Sequence, residues 1–121
     1  MTHPVFHANS TVQKYGGSPE DYQPIHDWLD ETKSNYADVR HRALRHHSLG
    51  IFWAEEKFGH YVINSDGKQV PVRYICEQHI KEDCGGRIPT VQDWLETIRP
   101  QAWMSKGYQL REDELCLKQL S

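Results

Sequence analysis

The sequence predicts a mainly α fold: a compact helical domain of four to six helices with one β-hairpin. Apolar residues recur with the 3.6-residue period of a helix face in several segments bounded by glycine, proline and capping residues. Only one stretch changes to a two-residue period, on either side of Asp66-Gly67. A chain of 121 residues has room for one modest core. We expect residues 1–104 to form a single helical domain, with the hairpin near 60–72, and residues 105–121 to be a C-terminal extension able to form a short helix.

The elements follow in order. PVFHANSTVQKYGG suits a short helix, with Pro4 in its first turn, Gly16-Gly17 as its stop, His7 within it and His3 at its margin. Ser18 before Pro19 is an N-terminal capping signature, Pro24 is expected to reset the start of the main second helix, and Ile25, Trp28 and Leu29 supply its buried stripe beside His26. Asn35 and Asp38 resemble a capping pair for a long third helix running to Gly59. At 100° per residue that helix carries Tyr36, Arg40, Leu44, His47, Ile51 and Ala54 on one face, His41 on a flank, and Arg42, Arg45 and His46 as a solvated basic stripe on the other side.

HYVINSDGKQVPVRYI reads as the hairpin, with Pro71 holding its second strand to an edge or a short pairing. Helical spacing returns from about Arg73 to Asp83 and ends at Gly85-Gly86. Thr90 and Asp93 cap a last short helix whose stripe is Val91, Trp94, Leu95 and Ile98.

Composition narrows the function. No apolar run approaches the roughly 18 residues of a membrane span, so a soluble protein without membrane contact is expected. The start MTHPVFHANS lacks the basic and apolar regions of a signal peptide, which predicts a cytoplasmic location. Cys76, Cys84 and Cys116 form no CxxC pair and are odd in number, which predicts reduced thiols rather than a disulfide framework or a thiolate zinc site. A net charge of −3 argues against nucleic acid as a partner. Eight histidines in 121 residues are an excess that needs a reason.

Neutral imidazole and carboxylate are ligands for zinc, manganese or iron. The candidate metal ligands are His7, His26, His47, His79 and Asp83, because His79 and Asp83 stand four apart on one helix face and His47 lies at the centre of an apolar one. His41, Glu55 and Glu77 are candidates to orient those ligands from behind, and Arg40 and Arg73 to hold an anion. His46 and His60 are expected at the surface. Cys76 beside His79 raises a cysteine nucleophile, which sequence gives little reason to favour.

The doublet His26-Asp27 resembles that of helical metal-dependent phosphohydrolases, in which such a doublet and further histidines on separate helices hold one or two metals. More broadly, HRALRHHSLGIFWAEEKFG, NSDGKQVPVRYICEQHIKED and IPTVQDWL resemble an uncharacterised family of small bacterial and phage proteins, over about residues 3 to 104. The resemblance implies a cytosolic, mostly helical domain often encoded by mobile elements. It implies no reaction, and the stretch beyond Met104 is an addition to the family pattern.

The expected function is a small divalent-metal-binding helical domain with a histidine–carboxylate centre, acting as a metal-dependent hydrolase of a phosphorylated or nucleotide-like small molecule. The rival is a non-enzymatic binding protein that captures a host protein or a nucleotide through an aromatic patch around Trp53, Trp103 or Tyr108. Phosphate contact through Arg42, Arg45 and His46 is a third expectation. Self-association into a homo-oligomer is compatible with any of them.

Overall fold

Helix α1 spans Pro4–Tyr15 in the computed structural model, which describes residues 4–105. It stops at Gly16 and Gly17, whose φ angles of 81° and 77° lie in the left-handed region that glycine enters without a Cβ penalty. Helix α2 (Pro19–Asp30) then starts with the Ser18 N–H donating to Asp21 Oδ2 at 2.8 Å.

Pro24 does not restart α2 but lies inside it. An interior proline costs about 3 kcal/mol. Full burial of Tyr22, Ile25 and Leu29, at about 1.5–3 kcal/mol for each side chain, exceeds that cost. The helix therefore runs through.

The continuous third helix is corrected more deeply. Residues Val39–Leu44 form a 3₁₀ helix capped by Asp38, whose Oδ1 accepts the Arg40 N–H, and helix α3 begins only at Ser48 and ends at Phe58. Between them the backbone turns, and His47 becomes the N-cap of α3: its Nδ1 accepts the Gly50 N–H at 3.0 Å and its Nε2–H donates to the Leu44 carbonyl at 3.1 Å. The Asp38 and His47 caps, each worth about 1 kcal/mol, favour two short pieces over one long helix. A residue in a 3₁₀ helix turns about 120° rather than 100°, so every side chain before the break faces a different way from the one a single helix assigns.

The chain returns tightly past that break. A Cβ on Gly50 would run into the Arg45 carbonyl oxygen, which is backbone and has no rotamer to yield. Gly50→Ala is therefore expected to cost about 1–3 kcal/mol or more by overpacking, read as a lowered thermal midpoint. An unchanged midpoint would sink this account of the turn.

Strands β1 (Tyr61–Ile63) and β2 (Gln69–Pro71) pair antiparallel, with Val62 opposite Val70. The Asn64 side chain organises the turn by accepting the N–H groups of Asp66 and Lys68, while Gly67 takes φ 80°. Pro71 sits at the end of the two-stranded ladder and leads directly into helix α4 (Val72–Asp83), which stops before the positive-φ Gly85 and Gly86.

The mainly α fold with one hairpin is as expected. Helices α1, α2 and α4 pack against one another, and α3 packs on α4. Val72, Ile75, Cys76 and Ile80 of α4 meet Tyr22, Ile25 and Leu29 of α2 in one apolar core.

The chain divides into two units, Met1–Val91 and Gln92–Ser121. Helix α5 (Val91–Leu95) spans the boundary and is shorter than the expected 91–98 segment; none of its residues is buried, and Ile98 beyond it is exposed. The expected C-terminal helix, Tyr108 and Cys116 lie outside the described residues. Among the described residues no helix is long and apolar enough to cross a membrane.

Candidate metal centre

Each of the three mutually packed helices carries two polar residues one turn apart: His7 and Thr11 on α1, His26 and Asp30 on α2, His79 and Asp83 on α4. Spacing of i, i+4 sets both members on one helix face. On α2 and α4 that face flanks the apolar stripe, so packing the stripes brings the polar flanks together. His7, His26, His46 and His79 are all fully buried there, with Asp30 nearly so.

The candidate ligand atoms of His7, Asp30, His79 and Asp83 lie within 4.8 Å of one another, and this group could hold a metal ion. His79 Nε2 is 3.3 Å from Asp30 Oδ1 and 3.2 Å from Asp83 Oδ2, and His7 Nε2 is 3.2 Å from Asp83 Oδ1. The rings of His7 and His79 stack with centroids 3.8 Å apart.

Hydrogen bonds behind the group fix the tautomers. Gln78 Nε2 donates to the His7 carbonyl and to Glu82 Oε1, so Gln78 Oε1 is left to accept the Thr11 hydroxyl proton at 2.7 Å. Thr11 Oγ1 must then accept from His26 Nε2–H at 2.9 Å. His26 Nδ1 in turn accepts from His79 Nδ1–H, also at 2.9 Å. On the other side, His7 Nδ1–H donates to Glu82 at 2.7 Å. Both His7 and His79 therefore turn Nε2, the lone-pair nitrogen of the neutral ring, toward carboxylates. His7 Nε2 and Asp83 Oδ1 are buried without a hydrogen-bond partner despite their proximity.

The electrostatics follow from that crowding. Burial works to raise the Asp83 carboxyl, but the imidazoles of His46, His7 and His79 that face it prevail and hold it well below the usual carboxylate range. Asp30 is likewise lowered against burial by its bond from His79 and by Lys33 and His46. For His79, burial favours the neutral ring, but Asp30 and Asp83 outweigh it and raise its pKa. Burial, with His79 and His7 adding to it, drives His26 down to about 2, which keeps it a neutral relay.

Of the residues singled out from the sequence, the fold brings together His7, His79 and Asp83, with His26 against them. Both His26 nitrogens face Thr11 and His79, so the ring stands behind the group. His47 is elsewhere, bonded to its own turn as a helix cap. His41 is buried with Nδ1 against Thr32, its ring 5.6 Å from that of His46. Glu55 pairs with His60, Glu77 with Arg73, and Arg40 with Asp38, all away from the group.

The expected basic stripe is overturned. Arg42 donates to the Asp83 carbonyl, and Arg45 donates to the Trp28 carbonyl while lying over the Trp28 ring. His46, expected at the surface, is 0% exposed and touches both carboxylates, whereas His60 is exposed as expected. Re-phasing at the helix break turns these side chains inward. Burial raises the Cys76 thiol to about 12, the opposite of an activated nucleophile. Trp53 is exposed with its ring edge-on to that of His47, and Trp103 is exposed.

Asp30, His46, Glu82, Thr11 and Gln78 were missed as parts of one constellation. For Asp30 a signal existed: HDWLD at 26–30 repeats the His-x3-Asp spacing of HIKED at 79–83.

Among curated proteins and among solved structures nothing matches the chain significantly. The family described as "Domain of unknown function (DUF6915)" matches residues 2–104, the length that holds every residue of the centre, and the chain belongs to that family.

Proposed function

We propose that this protein binds one divalent metal ion through His7, Asp30, His79 and Asp83, and that the ion ties α1, α2 and α4 together. The observation that carries the reading is the tautomer pattern. With each outer nitrogen pinned as a donor, His7 and His79 turn their remaining ring nitrogens at two buried carboxylates, an arrangement that needs a cation or a bound proton between nitrogen and oxygen. Glu82 behind His7 is the carboxylate–histidine partner that commonly orients a metal ligand. The donor set of imidazole and carboxylate suits zinc, manganese or iron.

A hydrolytic role for the ion is the second reading, supported by Arg42, whose guanidinium lies 3.7 Å from Asp83 and could face an oxyanion at the metal. In that case the metal would lower the pKa of a bound water and polarise the phosphoryl oxygen of a small substrate. Capture of a protein partner draws support from exposed Phe52 and Trp53 on α3 and from exposed Trp103.

Metal analysis by mass spectrometry on untagged protein purified without nickel resin tests the first reading. About one ion per chain is expected in the wild type and in His47→Ala, and loss of the ion in His79→Ala and Asp30→Ala. Equal metal in all four proteins, or none in any, would refute the assignment. Phosphate release from nucleotides that stops on chelation and falls in Arg42→Ala would support hydrolysis; metal-loaded protein without such release would leave a bracing role.

A further inference from the structure

His46 is the one histidine of the centre that comes from no helix of the three-helix pack. It follows the 3₁₀ segment and is carried inward by the turn that Gly50 permits. Its Nε2 lies 2.9 Å from Asp83 Oδ2 and 3.5 Å from Asp30 Oδ1. Those are the same two oxygens that His79 Nε2 meets at 3.2 and 3.3 Å.

We infer that His46 is a fifth ligand, and that the centre selects a cation of five- or six-fold coordination, of the manganese(II) or iron(II) class, over tetrahedral zinc. The inference rests on the metal-binding reading above. With bonds of about 2.1 Å, neighbouring ligand atoms stand about 3.0 Å apart in an octahedron and about 3.4 Å apart in a tetrahedron. The separations here, from 2.9 to 3.5 Å, bracket both values, so the number of donors decides. His46 Nε2 and His79 Nε2 both face Asp83 Oδ2 and Asp30 Oδ1, and His7 Nε2 faces Asp83 Oδ1, with all five side chains fully or almost fully buried. Four-fold coordination would turn one of the five away from the ion while it remains packed among the others. His7 Nε2 and Asp83 Oδ1, both buried and without a hydrogen-bond partner on the side facing the group, support the metal-binding reading on which this rests.

Cobalt(II) is the probe, added to chelator-treated full-length protein. Tetrahedral cobalt(II) absorbs strongly in the visible, and five- or six-coordinate cobalt(II) absorbs weakly. The wild type is expected to bind cobalt with the weak spectrum, and His46→Gln to bind it at least about tenfold more weakly with altered bands. Tight binding with intense tetrahedral bands, or a His46→Gln protein identical to the wild type in affinity and spectrum, overturns the inference and leaves the four-ligand reading standing. Absence of cobalt binding overturns both. X-ray absorption at the cobalt edge of the wild type counts ligands without any substitution: five or six supports the inference and four refutes it, which keeps the test decisive if His46→Gln does not fold.

Discussion

Chelator-treated Asp83→Asn protein is expected to lose about 3–5 kcal/mol of stability, the range for breaking a buried ionic group by removing one partner. The carboxylate is 2% exposed and meets His7, His46 and His79 within 3.2 Å, with the Arg42 guanidinium at 3.7 Å. Asparagine keeps its shape and removes the charge. The positive charge that Asp30 and Asp83 together favour on His79 then faces one carboxylate. The loss corresponds to a fall of roughly 10–20 °C in the thermal midpoint. The same variant is expected to bind no stoichiometric metal. A variant with the wild-type midpoint would show that Asp83 is not the hub of the centre, and one retaining full metal would remove it from the ligand set.

Lowering the pH from about 6.5 to 4 is expected to unfold the metal-free protein. Burial holds His26 down to about 2 and His46 to about 4, against an unfolded value of 6.5. Between those limits the unfolded chain binds protons at both positions and the folded chain does not, so stability falls as pH falls. Each histidine contributes a slope of about 1.4 kcal/mol per pH unit. Over the interval the two together remove about 5–6 kcal/mol, comparable with the entire stability of an ordinary domain. His79 does not offset this: its pKa is raised, so its contribution is fully present below 6.5 and is lost only as pH rises through its folded value. Asp30 and Asp83, with lowered values, add to the loss once the pH nears the ordinary carboxylate range. Urea midpoints measured at steps across this range, in chelator, give the slope directly. A flat profile would mean that the buried histidines are hydrated or charged in the folded protein. Bound metal adds stability by mass action and should move the acid transition to lower pH.

Sequence alone reached the helix–hairpin alternation, the stop at Gly16-Gly17, the Asp66-Gly67 turn, and the pairing of His79 with Asp83. These are local matters of periodicity, of left-handed φ angles and of i, i+4 contact, which a chain carries in its own order. Two judgements failed for a common reason. Taking residues 36–59 as one helix made inward-facing His47 a candidate ligand and set His46 outward, while the 3₁₀ segment and the turn after it leave His47 buried as a helix cap and carry His46 into the core. A few tens of degrees per residue, summed over a turn, exchange a surface for a core.

Only the tertiary structure decided which polar residues meet. Asp30 gains its neighbours because α2 packs against α4, Glu82 because α1 lays His7 beside it, and Arg42 because the helix break turns it onto Asp83. The sequence by itself determined that imidazoles and carboxylates would lie on helix faces. Which nitrogen points at which oxygen is set by hydrogen bonds across more than fifty residues of chain, and no spacing rule carries that information because it exists only after the apolar stripes have packed.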